Sequence, residues 1–127
     1  MSFKPLSWLY PQLPTITGTS WIPDWPQDLA GLPRASFKIA DDSTGLTISG
    51  NDEGSAMVSY YTDTWSKTPE DREDLDATIT ETLIPLGLVR GMKRHITEIW
   101  ADGTQAYRST ILWRGEYDHG TGRMCQP

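Results

Sequence analysis

The sequence predicts a mainly β domain: a small antiparallel barrel or strongly curved sheet, with one short helix and a proline-rich N-terminal arm. Three observations carry that expectation. Two segments rich in β-branched and aromatic residues flank Asp102-Gly103 within Met92–Tyr117, and an Asp-Gly pair in that setting is a strong hairpin signal. Alternating apolar and polar residues recur at about ten-residue spacing through residues 36–62, between polar turns, as in a meander. Six tryptophans occupy a chain of only 127 residues, and clustered Trp packs the core of a small β domain or lines an apolar cavity.

The length fits one domain, residues 1–127, able to bury a core of its own. Residues 1–35 hold Pro5, Pro11, Pro14, Pro23, Pro26 and Pro33. Proline fixes φ and lacks a donor, so neither a long helix nor a central strand fits there. The segment reads as a covering arm pinned by its tryptophans, with one helical turn at Pro26–Gly31. Strands are expected at Ala35–Asp41, Leu46–Gly50 and Met57–Thr62. Asp42-Ser43-Thr44-Gly45 and Asn51-Asp52-Glu53-Gly54 read as turns, since a calcium loop would need a distal Glu that is missing.

Thr68-Pro69-Glu70-Asp71 is a clear helix start: an N-cap hydroxyl, a proline at the first position and acids on the positive end of the dipole. The helix is expected over 69–75. Leu75, Ile79 and Leu83 continue at helical spacing, but 77–84 also alternates and is β-branched, so strands are expected from 77 to 117. The last two form the 92–117 hairpin. A two-residue loop pairs Trp100 with Gln105, Glu98 with Tyr107, Ile96 with Ser109, Arg94 with Ile111 and Met92 with Trp113. A three-residue turn with a bulge at Gly103 is the alternative, and a one-residue slip turns one strand over against the other.

The net charge is −6. Residues 1–89 hold 13 acidic and 5 basic side chains, while residues 90–127 hold 4 and 6. An acidic body argues against nucleic acid as a partner. No apolar run approaches the ~18 residues of a membrane span, and the N-terminus has no signal-peptide pattern. The single cysteine, Cys125, fits a reducing, cytoplasmic setting and excludes a Cys-based zinc site. No metal or other cofactor is expected. His95-Ile-Thr97 and His119-Gly-Thr121 resemble the paired motifs of two-histidine phosphoesterases. In that family the motifs lie on two related halves of a longer chain, so no family is assigned.

In the two-residue register, Glu98 and Arg94 project among Met92, Ile96, Trp100, Tyr107 and Trp113. A carboxylate in such surroundings suits acid–base or ligand-orienting work, with Arg94 as its partner. Trp65 and Tyr61 are expected to complete an aromatic-lined pocket for a small apolar or aromatic ligand. The expected function is therefore small-molecule binding, with cofactor-free isomerase, cyclase or dehydratase chemistry at Glu98 as an extension. The alternative is a protein-interaction or inhibitor protein using its acidic surface. The sequence leaves a homodimer or another protein partner open.

Overall fold

The structure is a computed structural model that describes residues 4–23, 32–43, 55–118 and 120–125, the side chains of 41–43 and 55–56 apart. The elements run α1 (Pro5–Leu9), β1 (Trp21–Pro23), β2 (Arg34–Ser43), β3 (Ser55–Ser66), α2 (Pro69–Leu83), β4 (Val89–Ile99), β5 (Gln105–Asp118) and β6 (Arg123–Met124). The fold is mainly β, a curled half-barrel with two short helices. The sheet order is β1-β2-β3-β5-β4, with β6 also paired to β5. Among the described residues, only the β1–β2 pair is parallel. The turn expected at Pro26–Gly31, the strand expected at Leu46–Gly50, and His119 fall outside the described residues.

Side chains alternate across the strands, so the pairings sort them into two faces. One face carries Phe37 on β2, Tyr60 and Thr62 on β3, and Ile111 and Trp113 on β5. It packs with Leu9 of α1 and with Ile79 and Leu83 of α2 as the main core. Trp113 is fully buried there and donates its indole N–H to Thr62 Oγ1 at 2.9 Å. The proline-rich arm belongs to this core. Tyr60 donates its hydroxyl to the Pro5 carbonyl at 2.8 Å, Trp21 donates its indole N–H to the Pro14 carbonyl at 2.7 Å, and Trp21 meets Phe37 edge-on.

The helix start is as the sequence indicates: Thr68 Oγ1 accepts from the Asp71 N–H at 3.1 Å, with Pro69 opening the helix. Its extent differs. α2 runs on to Leu83, and no strand forms over 77–84. The helical spacing of Leu75, Ile79 and Leu83 gives a stripe that packs with the core, and such burial overrides modest propensities. Two of the threonines in the stretch fit the helix by bonding backwards: Thr78 Oγ1 donates to Asp74 O at 3.0 Å and Thr82 Oγ1 to Thr78 O at 2.8 Å. Gly87, at φ +101°, then turns the chain into β4.

The hairpin forms, but in the other register. Thr97 pairs with Tyr107, Ile96 with Arg108, His95 with Ser109 and Arg94 with Thr110. The loop has three residues, Ala101-Asp102-Gly103. The Trp100 N–H donates to Thr104 O at 2.8 Å and the Gly103 N–H to Trp100 O at 2.9 Å. Gly103 takes φ +88°, the left-handed position that closes this turn type. Asp102 Oδ1 accepts from the Thr104 N–H at 2.9 Å. That bond, with a second from the Thr104 side chain, holds the Asp102 carboxyl below the ordinary aspartate value. One extra loop residue turns β4 over against β5, so Glu98 and Arg94 share a face with Arg108 and Thr110, away from Trp113 and Tyr107.

Among the described residues, no helix is long and apolar enough to cross a membrane.

Candidate functional site

The second face of the sheet carries Lys38 on β2, Tyr61, Asp63 and Trp65 on β3, Arg108 and Thr110 on β5, and Arg94, Ile96 and Glu98 on β4. Its centre is a carboxylate–guanidinium chain. Asp63, whose side chain is 0% exposed, accepts at Oδ1 from Arg108 Nε (3.3 Å), Arg108 Nη2 (2.9 Å) and the Thr110 hydroxyl (2.6 Å). Arg108 also donates from Nη1 to Glu98 Oε2 at 3.3 Å, and its guanidinium lies over the Trp65 ring, 5.3 Å from the centroid. Glu98 Oε1 takes two indole donors, Trp65 Nε1 at 2.9 Å and Trp100 Nε1 at 3.2 Å.

Beside this chain lies an open cleft of about 250 Å³. Tyr61, Met92 and Ile96 supply its apolar wall, with Asp63, Arg108 and Thr110 as fixed polar groups and Lys38 and Arg94 as further cations. The Lys38 ammonium lies 5.6 Å from the Tyr61 ring centroid. Arg94 Nη2 makes a long 3.9 Å contact to Met92 Sδ. Among the described residues, Asp63 Oδ2 is buried and has no hydrogen-bond partner. A buried carboxylate oxygen without a donor is costly, and here it belongs to a residue that lines a cleft.

The residues singled out in the sequence therefore separate. Tyr61, Met92 and Arg94 line the cleft. Trp65, Trp100 and Glu98 form the adjoining indole–carboxylate cluster. Trp113 and Tyr107 sit on the opposite face: Trp113 fills the main core, and Tyr107 lies under Arg72 of α2, 5.7 Å from guanidinium carbon to ring centroid. The partner of Glu98 is Arg108 rather than Arg94. Lys38, Asp63, Arg108 and Thr110 are the polar members that sequence reasoning missed. The pairing of Asp63 with Thr110 depends on β3–β5 register, and no local pattern in the chain reports it.

A second groove, about 420 Å³, runs between α2 and β4. His95 Nε2 and Asp76 Oδ2 lie 2.7 Å apart at its edge, tying the helix to the strand. Arg90 and Lys93 line the strand side, and Glu73 and Glu81 the helix side. Glu73, Asp76 and Glu81 stand here against Arg90 and Lys93, so the groove mixes both signs of charge and is not a dedicated anion or cation site. Cys125 is half-buried. Burial, and then the Glu116 and Asp118 carboxylates, push its thiol pKa up, which disfavours the nucleophilic thiolate. Among the described residues, no three His, Cys, Asp or Glu side chains converge as metal ligands would.

Comparison with models of known protein families finds no match, and comparison with curated proteins finds none.

Proposed function

We propose that this chain binds a compact small molecule with an apolar or aromatic body and at least one hydrogen-bond donor, in the cleft between Tyr61, Met92 and Ile96. The observation that carries the reading is Asp63 Oδ2, a buried carboxylate oxygen that has no partner among the described residues, on a residue lining that cleft. An apolar wall with a few fixed polar groups is the general make-up of a ligand site. A volume of about 250 Å³ suits a small ring system. Glu98 enters this reading as an anchor for Trp65, Trp100 and Arg108, because three donors already hold its two oxygens. The cytoplasmic placement rests on the lone Cys125.

Trp65 and Trp100 adjoin the cleft and supply the signal for a test. Their fluorescence is followed while phenols, anilines and aromatic amides are added, each beside its analogue lacking the donor. The reading expects saturable quenching, at least tenfold tighter for the donor-bearing member, and weakened in Tyr61→Ala. If no compound in the panel binds the wild-type chain, the reading fails.

A second reading, a protein partner with a basic face, is favoured by α2. Glu70, Asp71, Glu73 and Asp74 are all exposed near its start. Reversing Glu73 and Asp74 to Lys weakens that association and leaves cleft binding unchanged.

A further inference from the structure

We propose that the outer edge of β4 pairs with β4 of a second copy of this chain, antiparallel, about a two-fold axis at Ile96. The Trp100–Thr104 backbone bond and the regular register behind it set which groups of β4 point towards β5. In an antiparallel ladder these alternate. Lys93, His95, Thr97 and Ile99 therefore direct their N–H and C=O away from β5. Among the described residues, no strand pairs with that side.

The edge is 11 residues long and carries exposed apolar side chains: Val89 at 50%, Met92 at 51% and Ile99 at 77%. Edges of this kind are usually short, bulged or guarded by charge. The charges here complement themselves. With the axis at Ile96, Arg94 faces Glu98 of the second copy, Met92 faces Trp100, and Ile96 faces Ile96, each relation occurring symmetrically. Lys93 then opposes Ile99, and His95 opposes Thr97, so all four outward residues find backbone partners. Neighbouring axes do worse. One at Arg94 sets guanidinium against guanidinium, one at His95 sets Met92 against Glu98, one at Thr97 sets Ile96 against Glu98, and one at Glu98 sets carboxylate against carboxylate. The pairing stands whether or not the cleft takes a ligand.

Crosslinking tests the axis itself. In this register the two Ile96 residues form a non-hydrogen-bonded pair with Cα atoms ~4.5 Å apart, within disulfide reach. In a Cys125→Ser background, Ile96→Cys is expected to oxidise to a covalent dimer. Arg94→Cys is expected to form no disulfide, because its copies lie about 14 Å apart, four residues at ~3.4 Å each along the strand. Sedimentation of the wild-type chain is expected to give a dimer. Thr97→Pro, which removes one outward donor and leaves the bonds to β5, is expected to give a monomer with unchanged far-UV circular dichroism. A wild-type monomer at millimolar concentration overturns the proposal, as does crosslinking at Arg94→Cys but not at Ile96→Cys. If Thr97→Pro does not fold, the crosslinking pair still decides.

Discussion

Arg108 donates to Asp63 Oδ1 twice, from Nε at 3.3 Å and from Nη2 at 2.9 Å, while its third nitrogen reaches Glu98. One guanidinium on β5 thus bridges two carboxylates on the strands to either side of it, β3 and β4. Asp63 is fully buried and Arg108 is 17% exposed. Removing one partner of such a pair leaves an uncompensated buried charge. Arg108→Ala is expected to destabilise the fold by about 3–5 kcal/mol, read as a lowered urea midpoint. A loss below about 1 kcal/mol would mean that water reaches Asp63.

Glu98→Gln is expected to cost about 1–3 kcal/mol. The amide oxygen can still accept from Trp65 and Trp100, but the amide nitrogen then faces the Arg108 guanidinium, donor against donor. The change should shift tryptophan emission as well as the unfolding midpoint. Any loss of ligand binding in this variant therefore reports on the wall of the cleft before it reports on proton transfer.

Gly103 has open space around its Cα and a φ of +88°. A Cβ there meets no atom, so the cost of Gly103→Ala is purely conformational, about 1–2 kcal/mol. Gly103→Asn should cost less, because Asn tolerates the left-handed region. Equal stability of Ala and Gly at this position would rule out the three-residue turn.

Asp102 provides a pH signature of the same turn. Its folded-state pKa lies below the ordinary value of 3.8, so its contribution to stability is complete above that value. The contribution is lost as pH falls through the lowered folded-state pKa. The Thr104 amide resonance should titrate with a midpoint below 3.8, and Asp102→Asn should abolish that titration.

The raised thiol pKa of Cys125 predicts slow alkylation. Iodoacetamide should modify the native chain at pH 8 more slowly than the urea-unfolded chain, and the native rate should keep rising beyond the pH at which the unfolded rate levels off. Equal rates would place the thiol in free solvent.

Much of the architecture was legible because local chemistry dictates it. Thr68-Pro69 announced a helix, Asp102-Gly103 announced a turn, and the alternation around Phe37 and Tyr60 announced strands. The length of α2 was obscured because Ala77–Ile84 satisfies both the helical period and the strand period, and only packing of Ile79 and Leu83 against the sheet decides. The site was less legible. Asp-Gly closes two-residue and three-residue loops alike, and a difference of one residue exchanges the neighbours of Glu98. Asp63 lies 45 positions from Arg108. Their meeting follows from strand order, which has no local trace in the chain.

Strand β4 changes register once along its length. Arg90 pairs with Trp113 and Lys93 with Ile111, so β4 spends one more residue than β5 between these pairs. The extra residue reverses the parity of the strand: an even-numbered side chain, Arg90, joins odd-numbered Lys93 and His95 on the α2 side. A regular ladder through the same residues would instead put Arg90 on the Glu98 face, whereas deleting Gly91 or Met92 removes the extra residue and keeps Arg90 opposite Trp113 on the α2 side. The strand thus behaves like a text with a frameshift, in which one silent letter near its start decides which surface the preceding residues belong to.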